Sequence, residues 1–189
     1  IPVIPVQHQF IVTEPHPEIQ ARHEQGLPEM GVLRESDGSW YMREEAGGLL
    51  LGPYEVGAPA CYVDGPSADS EYELFQEDIE RLEPHIESAI NRVPIFGEVG
   101  VKEVYNGAIA YTPDGNPIVG PAWGAKNFWL NEGHSFGITA AGGAGWQLAE
   151  WIVEGVPTVD MMGVDPRRYG DYASKSYLQA KNEEAYANV

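Results

Sequence analysis

A glycine-rich segment is the part of this sequence whose residue types best suit a bound ligand. Residues 133–145 read GHSFGITAAGGAG and continue into an amphipathic stretch that ends near residue 153. Glycines let a backbone approach a flat or anionic ligand closely, and a following helix offers N–H groups and the positive end of its dipole. Close helix packing through Gly142, Gly143 and Gly145 is an equally ordinary interpretation. The spacing does not satisfy the G-x-G-x-x-G fingerprint, so we do not expect this segment to bind a dinucleotide pyrophosphate.

The net charge of the chain limits the classes of partner that it can bind. Its 189 residues carry 29 acidic and 11 basic side chains, a net charge of -18. Such a field repels nucleic acid and anionic lipid, and the chain has no apolar run of about 18 residues that could span a membrane. We therefore expect neither a nucleic acid nor a membrane as partner. One cysteine excludes internal disulfides and thiolate clusters.

Strand patterns come first in the chain and helical patterns mostly later. Ala46-Gly47-Gly48 lies between two β-rich runs and predicts a hairpin. This order favours an α+β class with an antiparallel sheet and flanking helices. The predicted strands are residues 1–13, 39–45, 49–55, 99–111, 118–119 and 128–130. The first predicted helix covers residues 71–90 and is split in two at Pro84. A second follows the glycine-rich loop and is stopped by Gly155-Val156-Pro157, and a third covers residues 174–187. Residues 15–28 are predicted to be loop.

Several motifs, read in order, resemble one family. They are PVQHQFIVTE near the start, the hairpin SWYMREEAGGLLLGPYE, the turn TPDGNPIVGP, the run GHSFGITAAGGAGWQLAEWI and the closing DPRRYGDYASKSYLQAKNEEAY. Together they resemble the D-amino-acid-oxidase-like FAD-dependent oxidoreductases, within them the dimethylglycine and sarcosine dehydrogenases. The likeness covers essentially the whole chain.

The resemblance implies a set of site residues. His8 and Tyr41 match a histidine and a tyrosine that lie over the flavin in relatives, which makes them the catalytic candidates. The glycine-rich loop passes along the flavin in relatives, which makes Gly133, Ser135, Phe136, Gly137, Ile138 and Thr139 the cofactor-binding candidates. The implied reaction is oxidation of an N-methylated amine or amino acid to an iminium, with hydride transfer to FAD.

The chemistry of the two catalytic candidates suits that reaction. Hydride transfer requires the neutral amine, because an ammonium nitrogen has no lone pair to stabilise the developing iminium. A neutral imidazole such as that of His8 can take the proton near pH 7, and the Tyr41 hydroxyl can orient the substrate. Taken without the resemblance, His8 is more often a structural histidine, and Tyr41 a core aromatic of a hairpin.

Two parts of the sequence depart from patterns seen in branches of this superfamily. One branch attaches flavin to a cysteine before the TPD turn, where this chain has Asn106-Gly107-Ala108-Ile109. Simple sarcosine oxidases bind the substrate carboxylate with a lysine where this chain has Thr139. Arg43 is the substitute candidate for substrate binding, although an ion pair with Glu44 or Glu45 is the more ordinary role for such a residue.

The resemblance also implies parts that these residues do not contain. The family's N-terminal G-x-G-x-x-G half, which binds the ADP part of FAD, is absent from this sequence, as is the folate-binding region that often follows in this subgroup. We expect residues 1–104 to form a substrate-binding region, 105–160 the C-terminal part of a FAD domain and 161–189 a helical extension. FAD would be bound jointly with the N-terminal half, in bacterial cytoplasm or the mitochondrial matrix, and the isolated chain is expected to be inactive.

Two other functions remain as alternatives. The first is a metal enzyme built on His8, His16 and His23 with Glu14 or Glu24, although these spacings suit no common ligand pattern. The second is a structural or interaction module without bound flavin, in which the glycine-rich helix serves packing alone.

Overall fold

The computed structural model describes residues 1–71 and 73–189 and divides them into two compact units. The sheet unit comprises Gln7–Ala58, Ser67–Ala108 and Ala187–Val189. The glycine-helix unit comprises Ile1–Val6, Pro59–Pro66 and Ile109–Tyr186. The α+β class with an antiparallel sheet, expected from the sequence, is confirmed.

The sheet unit is built around five strands in the order β2-β3-β4-β1-β5. Their bounds are β1 Val6–Thr13, β2 Leu33–Glu35, β3 Trp40–Glu45, β4 Gly48–Pro53 and β5 Val101–Ile109. The predicted hairpin is β3–β4, where Glu45 pairs with Gly48 across a two-residue turn. Ala46 and Gly47 both have positive φ, at 50° and 80°. Such turns match the twist of the strands that they join, which fixes the register of the hairpin.

The core of the sheet unit lies between one sheet face and a helix. Helix α2, Ile79–Arg92, buries Leu82 and Ala89 in the same hydrophobic cluster as Trp40 and other sheet residues. Asp78 begins the helix by accepting a hydrogen bond from the Arg81 backbone N–H. The sheet residues of this cluster are Ile11, Trp40, Met42, Leu49 and Leu51.

Two sequence predictions in this unit are wrong, and the helix predicted to begin at residue 71 begins only at Ile79. Residues 17–24, predicted to be loop, form helix α1, Pro17–Glu24, because the His16 side chain accepts the Glu18 N–H at its start and Pro17 is preset for a first turn. Only Ile19 of this helix is buried, so no apolar periodicity marks it. Pro84 does not split its helix: it lies inside α2, and the burial of Leu82 and Ala89 offsets the lost backbone hydrogen bond.

The glycine-helix unit contains a two-stranded sheet and two helices. Strands β6, Ile118–Pro121, and β7, Trp129–Glu132, pair antiparallel. Helix α3 runs Gly137–Glu154 and ends at Gly155, whose φ of 79° makes it a left-handed cap, as the sequence predicted. Helix α4, Lys175–Tyr186, follows a short 3-10 turn at Pro166–Arg168. Among the described residues, none of the helices is long and apolar enough to cross a membrane.

A buried asparagine joins three segments of the glycine-helix unit. Asn182 is fully buried on α4, and its Nδ2 donates to the carbonyl oxygens of Ile4 and Tyr111, each at 2.8 Å. Buried carbonyl oxygens that lose a donor cost free energy because water cannot replace it. Asn182 is therefore a structural anchor of this unit.

We expect Asn182→Ala to lower the free energy of unfolding of the chain by about 2 kcal/mol, since two buried acceptors lose their donor. Thermal unfolding followed by circular dichroism measures the effect as a lower midpoint. Glu184→Ala is the control, because Glu184 is an exposed residue of the same helix whose carboxylate pairs with Lys181 at the surface. Equal midpoints for the two variants would contradict the anchoring role.

Candidate functional site

Side chains of the sheet unit divide between two faces because successive residues of a strand point in opposite directions. Trp40 and Met42 of β3 point into the core. Tyr41, which lies between them, points to the opposite face. We call this second side the open face. It carries His8 of β1, Arg34 of β2, Tyr41 and Arg43 of β3, Gly52 of β4 and Tyr54, which follows β4.

The two catalytic candidates of the sequence analysis lie together on the open face. His8 Nε2 is 3.4 Å from the Tyr41 hydroxyl oxygen, the long end of the hydrogen-bond range. The His8 ring centroid lies 5.4 Å from that of Tyr54 and 6.4 Å from that of Tyr41. The rings of Tyr41 and Tyr54 meet edge to face at 6.2 Å. One imidazole and two phenols thus form a cluster that the sequence analysis predicted only in part, since it did not single out Tyr54.

Gly52 gives Tyr41 its place in this cluster. Gly52 pairs with Tyr41 across β3 and β4. A Cβ atom added at Gly52 would lie 2.1 Å from Tyr41 Cζ and 2.3 Å from its hydroxyl oxygen. The tyrosine ring therefore lies directly over the backbone of Gly52. Any side chain at residue 52 would occupy the space that the ring fills, so the position of Tyr41 requires glycine here.

Burial sets the protonation of the cluster. It lowers the pKa of the His8 imidazole below the ordinary value of 6.5, and the Glu55 carboxylate opposes this by raising it. Glu55 is fully buried and accepts a hydrogen bond of 3.1 Å from Gln9 Nε2. Burial also raises the pKa of the Tyr41 hydroxyl above 10.0, so that it stays protonated near neutrality. The open face therefore offers a neutral imidazole beside neutral phenols at pH 7.

Arg43, the predicted substrate-binding residue, has partners on its own strand. Its Nη1 lies 2.5 Å from Glu45 Oε2 and donates to the Glu44 carbonyl oxygen at 2.9 Å. Glu44 itself points into the protein, where it is bonded to His23 and to the Met30 N–H. Arg43 thus makes the local ion pair that is ordinary for a hairpin arginine.

The histidines considered as metal ligands have other partners. His16 caps α1 and lies 3.4 Å from Glu98, whereas His23 lies 2.7 Å from Glu44. Among the described residues, no group of three or more histidine, cysteine, aspartate or glutamate side chains could hold a metal ion.

The predicted cofactor-binding residues lie in the glycine-helix unit, at the start of α3. Gly133 is buried with φ of 69°, and an added Cβ would lie 2.7 Å from Thr112 Cγ2, so the turn requires glycine. No side chain caps the first N–H groups of α3 at Phe136, and Phe136 is half exposed. Ile138 is fully exposed. Backbone donors and apolar surface are thus available together, which fits one edge of a flat heteroaromatic ring such as a flavin.

The later glycines of α3 also face open space. A Cβ added at Gly142, Gly143 or Gly145 would meet no atom of the described residues within 4 Å. Trp146 and Val153 on the same helix are 64% and 77% exposed. Within the described part of the chain, these glycines do not serve close helix packing.

Comparison with known proteins gives the family. The model of the DAO family, described as FAD dependent oxidoreductase, matches residues 1–151, and that of FAO_M, FAD dependent oxidoreductase central domain, matches residues 154–189. The chain is 40% identical over 190 residues to mitochondrial dimethylglycine dehydrogenase of Rattus norvegicus, covering 98% of this chain and 22% of that protein. It is 33% identical over 190 residues to mitochondrial sarcosine dehydrogenase of Homo sapiens, covering 99% of this chain and 20% of that protein.

A solved structure shares the fold. The crystal structure of L-proline dehydrogenase from P. horikoshii superposes with a TM-score of 0.62 at 22% identity, over 89% of this chain and 40% of that one. The chain spans about a fifth of the length of the curated relatives that it matches. The resemblance inferred from the motifs is confirmed: the chain belongs to the DAO family of FAD-dependent oxidoreductases and is similar to the dimethylglycine and sarcosine dehydrogenases.

Proposed function

We propose that this chain forms the substrate-facing part of an enzyme that oxidises an N-methylated amine or amino acid, such as dimethylglycine or sarcosine, to an iminium. The observation that carries the proposal is the His8–Tyr41 pair on the open face, with a distance of 3.4 Å between Nε2 and the hydroxyl oxygen. Identities of 40% and 33% to dimethylglycine and sarcosine dehydrogenases support the substrate class.

In this proposal His8 is the base that accepts a proton from the substrate. The amine arrives largely as an ammonium ion, and His8 Nε2 accepts its proton, which frees the nitrogen lone pair. Because burial lowers the pKa of His8, the imidazole is neutral and ready to accept near pH 7. The Tyr41 hydroxyl holds the amine nitrogen beside His8, and the phenol faces favour the positive charge that the nitrogen carries before and after the reaction.

The reaction then balances as a two-electron oxidation. A C–H bond next to nitrogen breaks, its hydride leaves, and the nitrogen lone pair forms the C=N bond of the iminium. Bound FAD supplies the hydride acceptor. The iminium is hydrolysed by water or passes its one-carbon unit to a folate bound by a further region of the enzyme.

The cofactor is shared with residues outside this chain in our proposal. The start of α3, residues 133–139, would contact the isoalloxazine ring through backbone N–H groups. An N-terminal FAD-binding half would hold the ADP part and cover the exposed apolar side chains of α3. The proposed compartment is the mitochondrial matrix of a eukaryote or the cytoplasm of a bacterium.

The full-length gene product tests this function directly. We expect it to show the visible absorbance of oxidised flavin, which dimethylglycine or sarcosine bleaches under anaerobic conditions. His8→Gln should lower kcat on the order of a hundredfold, because it removes the proton acceptor. Tyr41→Phe keeps the ring and should also lower kcat.

His85→Gln is the matched control, since His85 lies on α2 and contacts the Gly38 carbonyl oxygen instead of the open face. It should keep the wild-type kcat. Absence of flavin absorbance would leave the chain a non-catalytic module, whereas unchanged kcat in His8→Gln would refute the role of His8 alone.

Gly52→Ala tests whether the glycine positions Tyr41. The new methyl group would meet the Tyr41 ring at about the distances given above, so the ring cannot keep its present position beside His8. We expect a loss of kcat in the full-length enzyme similar to that of Tyr41→Phe. The double variant Gly52→Ala with Tyr41→Phe should lose little more than either single variant, because both remove the same hydroxyl. Additive losses would show that Gly52 acts otherwise.

The protonation of His8 is measurable by NMR on the histidine-labelled chain. We expect its pKa to lie below 6.5, since burial lowers it, and to fall further in Glu55→Gln, since the Glu55 charge raises it. Because the unfolded chain takes up this proton first, stability should decrease as the pH falls from 6.5 toward the folded-state pKa. A His8 pKa above 6.5, or a rise in Glu55→Gln, would contradict the assignment.

A further inference from the structure

Arg34 shares the open face with the catalytic candidates, and the sequence analysis assigned it no role. It lies on β2 directly opposite Tyr41, with which it pairs in register. Residues that pair directly across neighbouring antiparallel strands point to the same face of a sheet. The side chain of Arg34 therefore extends on the same side as Tyr41 and His8.

Tyr54 connects Arg34 to the rest of the cluster. The guanidinium carbon of Arg34 lies 5.1 Å from the centroid of the Tyr54 ring, and its side chain donates a hydrogen bond to Tyr54. The Tyr54 ring in turn lies 5.4 Å from that of His8. Burial raises the pKa of both Tyr41 and Tyr54, and the nearby charge of Arg34 opposes this rise at both hydroxyls. The cation is thus held within reach of a small molecule that touches His8.

The ion pairs of the described residues leave Arg34 without a carboxylate partner. In residues 1–71 and 73–189, no aspartate or glutamate oxygen lies within 4.0 Å of its guanidinium nitrogens. Arg43, two positions from Tyr41, is by contrast paired with Glu45. In a chain of net charge -18, a partly exposed arginine without an acidic partner is available to an anion from outside.

We propose that Arg34 binds the carboxylate of the substrate and that Tyr54 positions its guanidinium. The inference rests on the proposed function and adds to it the residue that selects amino acids over simple amines. A guanidinium presents parallel N–H donors that match both oxygens of a carboxylate. The amine end of the same molecule is then directed toward His8 and Tyr41.

Charge explains why this arrangement discriminates. An amine without a carboxylate reaches the open face as a cation, and Arg34 repels it. A zwitterion places its carboxylate between the arginine and its own ammonium group, which turns the repulsion into attraction. Arg34 therefore favours substrates that carry both charges.

The test compares two substrates of nearly equal shape on the full-length gene product. Dimethylglycine carries the carboxylate, and N,N-dimethylethylamine replaces it with a methyl group. For Arg34→Gln we expect KM and Kd for dimethylglycine to rise on the order of tenfold to a hundredfold, the loss typical of a charged hydrogen-bonded pair. The values for N,N-dimethylethylamine should stay the same or fall. Kd is measured by calorimetry, so that binding is known even without turnover.

Two matched variants remove one positive charge elsewhere in the sheet unit. Arg92→Gln breaks the ion pair with Glu35 on β2 and should leave the preference between the two substrates unchanged. Arg43→Gln removes the other arginine of the open face. If Arg43→Gln weakens dimethylglycine binding and Arg34→Gln does not, the assignment to Arg34 is overturned.

The remaining outcomes separate this inference from the proposed function. Binding of dimethylglycine that depends on Arg34, without flavin reduction, supports the carboxylate site and overturns the redox role. Flavin reduction with equal effects of Arg34→Gln on both substrates supports the redox role and overturns the carboxylate site. Failure of the wild-type protein to bind dimethylglycine overturns the carboxylate site as well.

Discussion

The site in the sheet unit depends on the two-sided packing of one β-hairpin. Trp40 and Met42 must face α2 for the core to form, and this requirement alone turns Tyr41 to the opposite side. A slip of one residue would bury Tyr41 and expose Trp40. The turn at Ala46 and Gly47, with positive φ at both residues, prevents that slip. The strand register that stabilises the core is therefore also the register that places the proposed catalytic tyrosine on the open face.

Burial and charge act in opposition at His8, and the balance suits a proton acceptor. Burial lowers the pKa of the imidazole, whereas the buried carboxylate of Glu55 raises it. Burial is the larger of the two influences, so the pKa of His8 lies below 6.5 and the imidazole is neutral near pH 7. The arginines of the open face show a similar division: Arg43 is satisfied by Glu45, and Arg34 is held by a tyrosine that leaves its charge uncompensated. An acidic chain thus retains one cation where a substrate carboxylate is expected.

The glycine-helix unit presents a different kind of surface. Its long helix exposes Ile138 completely and carries three glycines that contact no described residue within 4 Å of an added Cβ. A helix with this much exposed apolar surface is unusual in a complete domain. The chain spans about a fifth of the length of the curated relatives that it matches. Both observations support the proposal that a further part of the enzyme covers this helix.

The sequence by itself determined the family, the α+β class, the hairpin and the presence of His8 and Tyr41 in strands, because these follow from motif order and local periodicity. It missed α1, whose single buried residue gives no pattern, and it divided α2 at Pro84, since local rules cannot see the core that Leu82 and Ala89 enter. Only the tertiary structure decided that Tyr54, Gly52 and Arg34 join His8. Together with His8 on β1 they come from three separate segments, since Arg34 lies on β2 and Gly52 and Tyr54 lie on and directly after β4. Strand register, which depends on long-range pairing, brings these segments to one face.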